Sequence, residues 1–196
     1  ETIVKYHLNS SVIYQYADWI TSVLHGNLGW SEKSTPPSPV LTAIMNNAPA
    51  TAEIVLFAAP IIILVGVFLG VQSAVHKDKM LDHATRTLSI VGYSLPSFLL
   101  GIIALAIFFT WLGWFPPGRL SSPALVAVYS SSSSFVRYTG LVTIDGILNG
   151  KLWVTEDALK HLVLPVAVIS TINIAAIVRV MRSSMLESLN KSYIIM

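Results

Sequence analysis

The stretch RTLSIVGYSLPSFLLGIIALAIFFTWLGW, Arg86 to Trp114, carries no charged side chain after its arginine. At about 1.5 Å of rise per residue, such a run is long enough as a helix to cross a hydrocarbon core of about 30 Å. Inside it lies Ser94-Leu95-Pro96-Ser97. The proline removes a backbone donor and crowds the preceding turn, which predicts a kink. Lipid offers no partner for the freed carbonyl, so neighbouring helices, the two serine hydroxyls or trapped water must supply one. A helix of this kind belongs in a bundle.

The composition agrees: 54% of the residues are hydrophobic and 11% charged, and the mean hydropathy is +0.68. These values describe an integral membrane protein. The formal charge of +2 is small and its basic residues are dispersed, so nothing points to nucleic acid. There is no cysteine, which excludes disulfides, iron–sulfur clusters and thiolate metal sites.

Outward from the central stretch, Thr51 to Val75 reads as another span, with Thr51 as its N-cap and Glu53 in the first turn, where a carboxylate suits the helix dipole. Within it Gly66 and Gly70 form a small-xxx-small face that admits a second helix at close range. His76 to Arg86 is a short charged connector. Leu162 to Met181 is a third span, with Pro165 near its start and Asn173 at mid-depth. An asparagine in hydrocarbon needs a partner, so it is expected to face other helices or a wet path. Before the spans, Val12, Ile13, Tyr16, Trp19, Ile20 and Val23 recur at amphipathic helical spacing, and a second short helix is expected from Val40 to Asn46. Between them runs the extended Thr35-Pro36-Pro37-Ser38-Pro39. The serine run Ser130 to Ser134 reads as a mobile loop.

Basic residues crowd the connector (Lys77, Lys79, Arg86) and the tail (Arg179, Arg182, Lys191), but are spread out over residues 115–161. The positive-inside rule then gives a plan for the chain. Residues 1–50 are an external segment, 51–75 a transmembrane helix, 76–86 a cytoplasmic connector and 87–114 a transmembrane helix. Residues 115–161 are an external loop, 162–181 a transmembrane helix and 182–196 a cytoplasmic tail. The fold class is all-α: a kinked transmembrane bundle with external amphipathic segments, multi-pass in the inner or plasma membrane and in contact with its lipid. Export of fifty residues ahead of Thr51 calls for a further helix before Glu1, and the chain reads as an internal portion of a larger protein.

Catalytic signals are few. No GxxxxGK[ST] loop is present, so the chain itself is not expected to bind ATP. His76 and His83 lack the HExxH spacing of a zinc helix and read as solvated interfacial residues, and His161 as a headgroup-level residue. Ser94 and Ser97 have no histidine or lysine in a span to activate them. No cofactor, metal or catalytic group is assigned. Ser94, Pro96, Ser97, Asn173, Gly66 and Gly70 are the candidate pathway or helix-packing residues. The acids Asp145, Glu156 and Asp157 and the aromatics Tyr129, Tyr138 and Trp153 are available for docking in the long loop.

An ordered set of segments carries a resemblance: ADWITSVLHGNLGWS, PATAEIVLFAAP, LDHATRTLSIVGYSLPSFLLGII, LGWFPPGR, TGLVTIDGILNGK, HLVLPV and RVMRSSMLESLNKSY. Over residues 16 to 196 the chain resembles the first-type permease subunit of dipeptide and oligopeptide ABC importers. The resemblance implies half of a translocation pathway, paired with a homologous second permease. It also implies an extracellular or periplasmic binding protein that delivers substrate, and cytoplasmic ATP-binding subunits that hydrolyse the ATP. Permeases of the family also serve nickel and oligosaccharides. In the family a coupling loop for the ATPase follows the tyrosine matching Tyr193, beyond Met196, and Ser192 stands where an acid is common. A non-transporting assembly or sensory subunit and a secondary transporter are the competing classes. The secondary transporter would ordinarily show charged residues within its spans.

Overall fold

A computed structural model describes residues 10–31 and 37–189. Lys191, Ser192 and Tyr193 lie outside them, as do Thr35 and Pro36 of the extended run. The chain divides into two compact units, 1–49 and 50–196.

In the first unit, helix α1 (Val12–Leu24) starts where the Ser11 hydroxyl accepts the Tyr14 N–H. Its apolar residues Val12, Ile13 and Trp19 are exposed. Strands β1 (Trp30–Ser31) and β2 (Ser38–Pro39) form a two-residue antiparallel pair, Trp30 opposite Pro39. Helix α2 then runs from Val40 to Val75 without interruption. The expected short helix at Val40 and the span at Thr51 are therefore one element, and Thr51 is not an N-cap. Pro49 lies within α2, so the proline does not end the helix there.

In the second unit, the last buried residues of α2 are Gly66, Gly70, Ser73 and Ala74, a stripe of small side chains at helical spacing. Opposite stands helix α7 (Leu152–Leu189), again one element rather than the shorter span 162–181. A Cβ on Gly66 would lie 2.8 Å from Cγ2 of Ile177, and one on Gly70 would lie 2.6 Å from Cβ of Met181. Only glycine permits this approach. Pro165 sits in the interior of α7, not near its start.

Helix α3 (Met80–Ser94) presents Asp82, Thr85, Ser89 and Gly92 on one buried face, at spacings of three and four. Gly92 faces Ala175 and Thr171 of α7. At Leu95 and Pro96 the backbone turns extended (ψ 128° and 137°), and helix α4 (Ser97–Ala104) departs. The halves Met80–Gly92 and Ser97–Trp111 meet at 100°. The sequence predicts one kinked helix over 87–114; the structure breaks it in two, because the residue before proline is driven out of the helical region. The Pro96 carbonyl starts the second half by accepting from Leu99 and Leu100 N–H. A π-helical turn, Leu105–Trp111, follows α4. It leads to the clustered rings of Phe108, Trp114 and Phe115.

The segment expected as a long loop is structured. Helices α5 (Ser122–Tyr129) and α6 (Val142–Leu148) pack with the start of α7 around Leu120, Ala124, Val128, Phe135, Val142, Val154 and Ala158. The serine run is tied down rather than free: Ser133 donates to the Ala127 carbonyl and accepts the Phe135 N–H, and Lys151 reaches Ser134.

The glycine stripe yields a prediction. Gly70→Ala should lower the thermal unfolding temperature in detergent, since overpacking costs about 1–3 kcal/mol. Gly101→Ala, where no atom lies within 4 Å of the added carbon, should not lower it. Equal behaviour of the two variants would remove the close contact from the account.

Candidate functional site

Three carboxylates are almost fully withdrawn from solvent, Glu53 and Asp145 at 1% and Asp82 at 0% exposure. Buried charge is costly unless paired and hydrogen-bonded, so each must be surrounded by donors.

Glu53 projects from α2 toward the first turn of α6. One oxygen accepts the Thr143 N–H at 2.7 Å and the Thr143 hydroxyl at 2.8 Å. The other meets Nη2 of Arg119 at 3.3 Å. The same nitrogen donates to the Gly140 carbonyl, and Nη1 donates to the Tyr129 hydroxyl. Nε of Arg119 is buried without a partner among the described residues. Thr155 of α7 closes the group by donating to the Thr143 carbonyl. Beside it Asp145, 1% exposed, accepts from Thr139 N–H, Thr139 hydroxyl and Gly140 N–H. The loop from Thr139 to Thr143 is thereby folded around two acids.

Asp82 lies at the other end of the uncharged run 54–72 of α2. Its carboxylate accepts Ser73 hydroxyl at 2.6 Å and Asp78 N–H at 3.1 Å. From α7, Arg182 grips it with both arms, Nε at 2.6 Å and Nη2 at 2.8 Å. Such fork-to-fork pairing fixes geometry as well as charge. From Glu53 to Ser73 is twenty helical steps, about 30 Å, which equals the thickness of a hydrocarbon core. The clusters therefore stand at the two ends of the apolar stretch.

The residues singled out from the sequence fall in three places. Gly66 and Gly70 lie against α7, as described. Ser94, Pro96 and Ser97 are exposed at the break between α3 and α4, with the Ser94 hydroxyl donating back to the Ile90 carbonyl at 2.7 Å. Asn173 is exposed on α7 and donates to its own helix at the Ile169 carbonyl, 2.8 Å. No hydrogen bond joins Asn173 to the Ser94–Ser97 group among the described residues. Several expectations are corrected. Glu53 is more than three turns into α2 rather than in its first turn, and protein donors hold it instead of the helix dipole. Asp145 is buried and structural, not available for docking. His161 is 4% exposed, buried in the protein rather than facing solvent, and its ring meets the Asp157 carbonyl at 2.7 Å. Glu156 is exposed and paired with Lys160, and Tyr138 and Trp153 remain exposed.

Asp82, Arg182, Arg119 and Thr143 were not legible as a site. The available signal was the face Asp82-Thr85-Ser89-Gly92, too small and polar for lipid. Among the described residues no group of histidines and acids could hold a metal ion. Cavities border the helices: one of about 280 Å³ lies between Gly101, Pro116, Gly118, His161 and Pro165, and one of about 360 Å³ between α3 and the end of α7.

Two long apolar helices pinned at both ends, beside a helix pair broken at a proline, describe a membrane bundle. Residues 62–196 match the family of binding-protein-dependent transport system inner membrane components. The chain belongs to that family. It is 34% identical over 99% of its length to the di/tripeptide transport system permease protein DppB of Pseudomonas aeruginosa, covering 55% of that protein. To the probable D,D-dipeptide transport system permease protein DdpB of Escherichia coli it is 32% identical over 95% of its length, covering 52%. To the oligopeptide transport system permease protein AppB of Bacillus subtilis the figures are 29%, 98% and 52%. The chain thus spans about half the length of the curated relatives it matches. For this family the pinned helices are parts of a transport component.

The Asp82–Arg182 pair yields a prediction. Removing one partner strands a buried charge, so Asp82→Ala should cost about 3–5 kcal/mol. The double change D82L with R182M, which removes both charges, should be less damaging than either single change. Thermal unfolding in detergent measures both. A double variant as damaged as the sum of the singles would show that the pair is not coupled.

Proposed function

We propose that this chain belongs to a permease subunit in an ATP-driven importer, forming half of the pathway for peptides delivered by an external binding protein. One observation carries the reading: likeness to di/tripeptide, D,D-dipeptide and oligopeptide permeases runs along nearly the whole chain. The partners follow from it: a homologous second permease, cytoplasmic ATP-binding subunits and a binding protein outside. Residues 76–86 and 182–196 face the cytoplasm, as their basic residues suggest. The Glu53 cluster is then at the outer end and the Asp82 cluster at the inner end. The work of ATP hydrolysis belongs to the partner subunits, and this chain is a conduit.

In this reading the fixed and moving parts are separate. Helices α2 and α7 form a post, locked by Gly66, Gly70 and the two acid clusters. The break at Pro96 leaves α4 joined to α3 by two extended residues, which is where a bend between inward and outward states costs least. Asn173, Ser94 and Ser97 are polar groups left exposed by the described residues, facing the pathway or the second permease.

The test is uptake of a labelled dipeptide or oligopeptide by liposomes holding the complete importer. Uptake should require ATP and the binding protein and persist when proton and sodium gradients are collapsed. Loss of uptake with the gradients would favour a secondary transporter, and uptake of oligosaccharide or nickel alone would replace the peptide assignment. Pro96→Ala should slow uptake while the subunits still assemble; unchanged uptake would remove the hinge from the mechanism.

A further inference from the structure

The cavity of about 360 Å³ between α3 and the end of α7 has a lining unlike the others. Arg86, Arg179 and Arg182 line it, beside Ser89 and Ser183. No acid lines it. Asp82 already engages Nε and Nη2 of Arg182 from the side, and Asp78 acts on the same guanidinium at longer range. Arg86 is exposed and makes no ion pair among the described residues. The rest of the lining, Ile90, Val178 and Leu186, is apolar.

Arginine forks with hydroxyls beside them suit a phosphate oxygen, and the apolar floor suits a hydrocarbon chain. The volume lies in the range of small-molecule sites. Basic pockets between membrane helices hold anionic headgroups in this manner. We propose that this cavity is a site for a phosphate group, that of an anionic phospholipid whose chain lies along Ile90, Val178 and Leu186. A lipid held there bridges α3 and α7 next to the Asp82–Arg182 pair and stabilises their contact. The inference needs the membrane setting of the chain but not its peptide substrate.

The complete importer, purified in neutral detergent, is titrated with phosphatidylglycerol, phosphatidylcholine or inorganic phosphate. Bound lipid is read by native mass spectrometry and stability by thermal unfolding. Phosphatidylglycerol should be retained over phosphatidylcholine and raise the unfolding temperature. The double variant Arg86→Gln with Arg179→Gln should weaken its retention on the order of tenfold, equivalent to about 1.4 kcal/mol. Ser183→Asp places a carboxylate at an exposed position of the cavity and should have the same effect, so the test does not hang on one variant. Protection by inorganic phosphate equal to that by phosphatidylglycerol would uphold the site and identify its occupant as a free anion; protection by the lipid alone identifies the lipid. Equal retention of the two lipids, or undiminished phosphatidylglycerol on both variants, overturns the proposal. Because no readout depends on uptake, a failed peptide assay leaves this outcome separately legible.

Discussion

A carboxylate with no exposure, set where apolar helices meet, is the constraint on which the second unit depends. Asp82 satisfies it with four donors drawn from three places: Ser73 of α2, the Asp78 N–H of the connecting turn, and the two arms of Arg182 on α7. The turn itself is shaped for this. Asp78 adopts a left-handed backbone (φ 59°), a conformation that aspartate tolerates better than most residues. In lipid, apolar side chains gain little by leaving one neighbour for another, so packing alone does not select a register between helices. A bidentate ion pair does, since a shift by one residue would turn Arg182 away from its partner. The close approaches of Gly66 to Ile177, Gly70 to Met181 and Gly92 to Ala175 are then all consequences of one register.

Glu53 meets the same requirement differently. It has one arginine contact through a single nitrogen and relies on Thr143 for the rest. Arg119 is shared among Glu53, Gly140 and Tyr129, and its Nε has no partner among the described residues. Two donors come from the first turn of α6 and one from Arg119 in the loop before α5, the acceptor from α2, so this cluster fastens the α5–α6 layer onto the long helices. One end is thus locked between two long helices and the other between a long helix and the short-helix layer.

The sequence made the class of fold plain because composition and uncharged length are properties of single segments. Pairings across a hundred residues are not. Asp82 was read as part of a solvated connector because His76 to Arg86 holds seven charged or titratable side chains among eleven. Only the partner at Arg182 turns that charge inward. The ends of the helices were misplaced for a related reason: Thr51 and Leu162 mark where hydropathy rises, whereas the helices begin at Val40 and Leu152, the first passing through Pro49, and the start of α7 is packed through Val154 and Ala158 against α5 and α6. Proline at position 96 was visible, but a kink and a break of 100° have the same signature in one sequence. What decides between them is whether Leu95 remains helical. Small residues at Gly66 and Gly70 were visible too; the identity of the facing helix was not.

Asn173 illustrates how such a reading has to be refined. A side-chain amide at mid-membrane depth was expected to need a neighbour, yet one of its hydrogens is satisfied by the Ile169 carbonyl of its own helix. Ser94 and Thr171 do the same with Ile90 and Ala167. Back-bonding of this kind lowers the cost of facing lipid without removing it for an amide, which has four hydrogen-bonding positions against the hydroxyl's three. A serine or threonine so bonded is nearly self-sufficient. Asparagine keeps a carbonyl oxygen and a second hydrogen exposed on α7, and neither is met within the described chain. The physical demand that remains at Asn173 is therefore larger than at any of the hydroxyls around it, and it is directed at whatever covers that face of the helix.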